Sequence, residues 1–189
     1  MCNAYRLRQP PHVFVDEFSQ LRLPVVWAED RVANIEPRGD IRIRDNAPVV
    51  GRSDRGIEIS VLQWAWLERG RPVFNFRSDG RSFARADRRL VPADGFYEFT
   101  TPSDPKQKRK DKWMFSLAGE PWFWIAAIVK NGSFTLLTTE PGPDIAPYHD
   151  RQVAVLPRGR AMDWLELARP EAELLRPLPA GSLEVSKVG

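Results

Sequence analysis

Cys2 is the only cysteine in the chain and stands directly after Met1. Removal of Met1 would put a thiol and an α-amine on one carbon skeleton. Their ordinary pKa values are about 8.5 and about 8, so both are partly nucleophilic near neutrality. A 1,2-aminothiol can do what an internal cysteine cannot. Its amine condenses with an aldehyde to an imine, and its thiol closes on that carbon to give a five-membered thiazolidine. The plain alternative is a small buried hydrophobe early in the chain.

Three other segments set a reactive side chain in an apolar or turn-forming frame. In Val73-Phe74-Asn75-Phe76-Arg77, an extended backbone puts Asn75 and Arg77 on the face opposite Phe74 and Phe76. An amide beside a guanidinium can hold a sugar or phosphate oxygen. In Ala93-Asp94-Gly95-Phe96-Tyr97-Glu98-Phe99, the carboxyl of Glu98 sits among aromatics. Desolvation there would raise its pKa toward a useful acid–base range, whereas on the solvent face of a strand it would stay ordinary. In Tyr148-His149-Asp150-Arg151, the aspartate can fix the histidine's tautomer and make it a proton donor or acceptor near neutrality. A structural histidine is the alternative.

The elements that must position these groups are short. Seventeen prolines punctuate the chain, and no repeat or linker divides it, so residues 1–189 read as one domain. Phe14, Phe18 and Leu21 predict a helix over about 12–21, ended by Pro24. Strand signals follow at 57–62, at 89–91 and 96–99 around a Pro92–Gly95 turn, and at 113–117, 122–129, 134–138 and 152–156. Asn131-Gly132 is a hairpin signal. Helices are expected at about 160–168, with Met162 and Leu165 inward, and at about 170–176. The fold class is α+β and β-dominated, with mixed or antiparallel sheets forming a barrel-like core and a few peripheral helices.

Composition narrows the function. Hydrophobic residues are 42% and charged residues 28%, which fits a soluble globular protein, and no apolar run approaches the length of a membrane span. One cysteine and two histidines leave no cysteine-rich or histidine-rich metal site, so no metal and no cofactor is expected. A reducing cytoplasmic or nucleoid-associated setting fits. The net charge is only +3, yet arginine carries the basic side and there are seven tryptophans. Arginines among aromatics suit single-stranded nucleic acid, or else a tryptophan-filled core under a solubilising surface. The run Lys106-Gln107-Lys108-Arg109-Lys110-Asp111-Lys112 reads as a basic surface loop, able to meet phosphates or simply to be solvated.

In the order Cys2, Asn75, Glu98, His149, these segments resemble the SRAP (SOS response-associated peptidase) family of abasic-site-processing proteins. The resemblance spans nearly the whole chain. It rests on Met1-Cys2, Asn34-Ile35-Glu36-Pro37, Asn75-Phe76-Arg77, Arg89 to Phe99, His149-Asp150-Arg151 and Val185 to Val188. The chain departs from the pattern at Asn3-Ala4, where an arginine is usual, at Trp64-Ala65, at Ser78-Asp79-Gly80 and at Gln152-Val153. The resemblance implies that Cys2 traps the aldehyde of an abasic site in single-stranded DNA once Met1 is gone. Met1 would leave either autocatalytically, which accounts for the peptidase label, or by an ordinary aminopeptidase. The resemblance also implies acid–base work for Glu98, orientation by Asn75, and alkoxide stabilisation by His149. It implies DNA contacts for Arg77, Arg6 (or Arg8) and Arg151, with Trp64 or Trp66 stacking on a base, in a monomer. A non-covalent single-strand binder with an inert Cys2 and a Cys2–His149 thiol hydrolase are the competing readings.

Overall fold

A computed structural model of the chain describes residues 2–104 and 106–189. The expectation that Met1 is removed falls outside these residues. The strands are β1 (Ala4–Leu7), β2 (Val25–Trp27), β3 (Arg38–Arg42), β4 (Asn46–Ser53), β5 (Gly56–Trp64), β6 (Trp66–Glu68), β7 (Arg71–Val73) and β8 (Asn75–Arg77), then β9 (Asp87–Ala93), β10 (Gly95–Thr100), β11 (Asp111–Leu117), β12 (Phe123–Lys130), β13 (Ser133–Thr139), β14 (Gln152–Val153), β15 (Val155–Leu156) and β16 (Leu183–Lys187). The α-helices are α1 (His12–Gln20), α2 (Ala161–Glu166) and α3 (Glu171–Leu174). The molecule is mostly β with few helices, and among the described residues no helix is long and apolar enough to cross a membrane.

Two large sheets carry the fold. One runs β16-β11-β10-β1-β3 and the other β14-β13-β12-β9-β4-β5-β2, with β15 added on β12 and β8 on β13. In the second sheet, β13 also pairs parallel with β5 at Ser133–Gln63 and Phe134–Trp64. The hydrogen-bonded path β4-β5-β13-β12-β9 therefore closes on itself as a ring of five strands. Of the expected barrel-like core, the structure shows this ring of hydrogen-bonded strands.

Local chemistry explains most of the elements. In α1, Phe14 and Phe18 lie one turn apart and are fully buried. Leu21 does not continue that face. The helix ends at Gln20, Arg22 turns left-handed with φ 56°, and Leu21 is 54% exposed. Asn131 and Gly132, both at positive φ, form the two-residue turn between β12 and β13. Pro92 lies inside β9 opposite Trp124, so the expected Pro92–Gly95 turn shrinks to Asp94 alone. Proline is tolerated in a strand where its missing donor is not needed. At Asp94 the chain passes from the nine-stranded sheet to the five-stranded one. On α2, Trp164 is the residue sealed into the core beside Leu165, while Met162 is only half-buried.

Candidate active site

Cys2 leads into β1, and β1 runs antiparallel to β10 with Tyr5 opposite Phe96 and Arg6 opposite Gly95. Only two residue pairs hold this ladder, so other bonds must fix its register. Asp94 supplies them. Its carboxylate pairs with the Arg6 guanidinium and accepts the Arg8 backbone N–H at 2.5 Å, while its own N–H donates to the Arg6 carbonyl at 2.9 Å. Asp94 is buried, and Arg6 keeps little exposure. The clamp sets how far along β10 the Cys2 end of β1 reaches.

That reach brings Cys2 to Glu98. The backbone N–H of Cys2 donates to the Glu98 carboxyl, and the N–H of Tyr97 points at the thiol. The thiol itself donates to the Ala4 carbonyl at 3.2 Å. From the second sheet, Asn75 donates its amide N–H to the Cys2 carbonyl at 2.7 Å. Asn75 is placed by β8, which pairs parallel with β13 as Asn75–Leu136, Phe76–Leu137 and Arg77–Thr138. The phenyl rings on the other face of β8 anchor it, Phe74 against Trp64 and Phe76 against Trp66 and Phe83. Three residues far apart in the chain thus converge from both sheets.

Burial sets the electrostatics. Glu98 is 1% exposed, and desolvation is the largest cause that pushes its carboxyl from the ordinary 4.5 up to about 7, against the opposing Cys2 N–H. A carboxyl at that value can both take and give a proton near neutrality. Burial, and next the nearby Glu98, push the Cys2 thiol well above its ordinary range. Both causes favour the neutral thiol over the thiolate.

His149 follows a tight turn closed by its own N–H on the Ile145 carbonyl. Its Nδ1 accepts the Arg151 backbone N–H at 3.0 Å, and Asp150 Oδ1 lies 2.7 Å from the same nitrogen. These two contacts demand different states. The Arg151 N–H suits a neutral ring with its proton on Nε2, and the carboxylate suits a protonated one. Burial is the leading influence and lowers the His149 pKa. With Asp150 largely solvent-exposed, the neutral Nε2–H form is the better description.

The residues expected to touch DNA separate into two groups. Arg77 is exposed two residues beyond Asn75. The other four are built into the fold. Trp64 is 0% exposed, packs on Tyr5, Phe74 and Phe134, and donates its ring N–H to the Phe74 carbonyl at 2.8 Å. It fills the point where β5 closes on β13. Trp66 is 4% exposed against Phe76. As placed, neither ring offers a face to a nucleobase. Arg6 is committed to Asp94. Arg151 is buried, donating to the Thr138 carbonyl at 2.8 Å and pairing with Asp79 at 2.6 Å. Residue type and spacing alone do not record these placements, because burial and pairing depend on partners far away in the chain. Sequence reasoning also missed Asp94, whose only sequence signal is its place between a proline-bearing strand and a glycine.

Among the described residues no group of three or more His, Cys, Asp or Glu side chains is gathered to hold a metal ion.

The profile of the family described as SOS response associated peptidase (SRAP) matches residues 1–189. No curated protein matches the chain. Among solved structures, a protein from Bordetella bronchiseptica is similar with 21% identity and a TM-score of 0.72, covering 100% of both chains. A protein from Bacteroides thetaiotaomicron is similar at 16% identity and TM-score 0.71, covering 100% of this chain and 92% of that one. A phage-related protein from Bordetella bronchiseptica is similar at 21% identity and TM-score 0.70, covering 99% and 94%. At such identities these likenesses speak for the fold.

Proposed function

The chain belongs to the SOS response associated peptidase (SRAP) family, and from that premise we propose that it serves the response to DNA damage by trapping abasic sites in single-stranded DNA on Cys2. Once Met1 is removed, the Cys2 amine attacks the aldehyde of the ring-opened sugar, and loss of one water gives an imine. The Cys2 sulfur then adds to the imine carbon, its proton passes to the nitrogen, and a thiazolidine closes. The sequence is a net condensation with no change in oxidation state, and it calls for acid–base help at each stage.

The residues on hand fit those demands. Glu98, poised at about pH 7 beside the Cys2 backbone, suits delivery of the proton that opens the sugar and removal of the thiol proton during closure. Asn75 holds the Cys2 carbonyl and so restricts how the N-terminal residue presents itself, an orientation effect. A neutral His149 with its proton on Nε2 suits stabilisation of the alkoxide released when the ring opens. Arg77, exposed beside Asn75, suits a phosphate next to the lesion. The reading pictures a monomer acting at the nucleoid.

The observation that carries this reading is the convergence of Asn75, Cys2 and Glu98. It also weighs against a Cys–His hydrolase, which needs a thiolate, because burial and Glu98 both disfavour the ionised thiol. The test is a denaturing gel of protein verified by mass to begin at Cys2, mixed with a single-stranded oligonucleotide bearing one abasic site. A heat-stable shifted band is expected from this protein and from neither Cys2→Ala nor a form retaining Met1. Absence of the band from the processed wild type would overturn the reading and leave a non-covalent strand binder.

A further inference from the structure

The basic segment before β11 is not used by the chemistry above. Lys106, Lys108, Arg109 and Lys110 are all exposed, and among the described residues none of them forms an ion pair. Their neighbours behave otherwise. Lys112 is paired with Asp40 at 2.8 Å and Lys187 with Asp111 at 2.9 Å. The nearby acids are also occupied: Asp104 accepts the Lys106 backbone N–H at 2.8 Å, and Asp111 accepts the Gln107 amide at 2.8 Å. Four cations are therefore left pointing at solvent on one short loop. The run is too dense to be explained by pairing within the fold.

The loop's position gives the charge a purpose. It leads straight into β11, where Trp113 is directly opposite Glu98 in the ladder, so the two side chains share one face. The Trp113 ring is half-buried and lies 4.8 Å from the ring of Tyr148, the residue before His149. Lys187 Nζ lies 5.6 Å from the Trp113 ring. Lys110 is near enough to His149 for its charge to weigh against protonation of that ring. The cation cluster and an aromatic pair thus border the site on the β11 side, while Arg77 borders it on the β8 side.

We propose that residues 106–110 together with Trp113 form a second strand-binding surface, which grips the phosphates and stacks a base of single-stranded DNA on the β11 side of the site. It rests on the proposed function for its choice of polymer, but it concerns binding, not trapping. Loose cations release counterions when they meet phosphates, and a partly exposed indole offers a sequence-tolerant stacking face. Together they would hold the strand on the flank opposite Arg77 and keep the lesion at Cys2.

The experiment measures fluorescence anisotropy of the full chain on an unmodified single strand of about 20 nucleotides across a salt series. The loop variant carries Lys106→Gln, Lys108→Gln, Arg109→Gln and Lys110→Gln. A control carries Arg22→Gln, Arg52→Gln, Arg55→Gln and Arg169→Gln, lowering net charge equally from elsewhere on the surface. The slope of log K against log salt is expected to shrink by about 2 to 3 in the loop variant, at roughly 0.7 for each phosphate no longer neutralised, and far less in the control. Trp113→Leu is expected to weaken binding about tenfold with little change in slope. Equal slopes for the two charge variants, or no binding by the wild type, would overturn the proposal. The abasic-strand gel separates the two readings. A loop effect on intact strands with no covalent band sinks trapping and keeps the surface, while a band with no loop effect does the reverse.

Discussion

Strands β12 and β10 are equally deep but are built for different ends. β12 buries six consecutive residues, Phe123, Trp124, Ile125, Ala126, Ala127 and Ile128, and all are apolar. Its neighbours β9 and β13 cover both edges, and Phe14 and Phe18 of α1 with Trp122 pack on Trp124. β10 buries Gly95, Phe96, Tyr97 and Glu98, so a carboxyl takes a place where β12 has no ionisable group. Burial of an ionisable group is costly and packing of apolar surface is favourable. The molecule carries that cost on β10, the strand that lies against Cys2. One strand is part of the ring of the second sheet, and the other carries a carboxyl that burial pushes up to about 7.

Three substitutions would sharpen or break this contrast. The largest effect is expected for Trp124→Ala, with about 3–5 kcal/mol lost from the unfolding free energy in chemical denaturation. Trapping per folded molecule should be unchanged, and a selective loss of trapping would break the contrast from the β12 side.

Glu98→Gln should do the opposite. In the wild type, the folded state holds a proton on Glu98 up to about pH 7, whereas the unfolded chain releases it near 4.5. The resulting stability is fully present below about pH 4.5 and is lost as pH rises through about 7, amounting to about 3 kcal/mol. Denaturation midpoints at about pH 5 and about pH 8 should therefore differ in the wild type and converge in Glu98→Gln. The crosslinking rate should fall about a hundredfold or more. A wild-type stability that is flat across this window would remove the premise that β10 carries the cost.

Asp94→Ala tests the joint between the two sheets. It strips the Arg6 guanidinium and the Arg8 N–H of their acceptor, and about 2–3 kcal/mol should be lost. Amide exchange should show residues 4–7 opening before β12 does. Uniform opening of both would mean that the clamp serves the whole fold and not the placement of Cys2.

Much of this was legible in the chain. Period-3.6 spacing marks α1 through Phe14 and Phe18, Asn131-Gly132 marks the β12–β13 turn, and the aromatic setting of Glu98 points to a raised pKa. These features depend on neighbours within a few residues, which is why they can be read locally. The motifs in order also indicate the family, whose profile matches residues 1–189.

What the tertiary structure alone decided is how distant surfaces close on one another. Trp64, Trp66, Arg6 and Arg151 have the composition of a nucleic-acid surface, yet the parallel contact of β5 with β13, the packing on Phe76, the Asp94 clamp and the Thr138–Asp79 pocket take them inside. The residue types and their order were determined by the sequence itself. Which of them remain free to meet a partner depends on solvent exclusion by elements far away in the chain, and no local pattern records that.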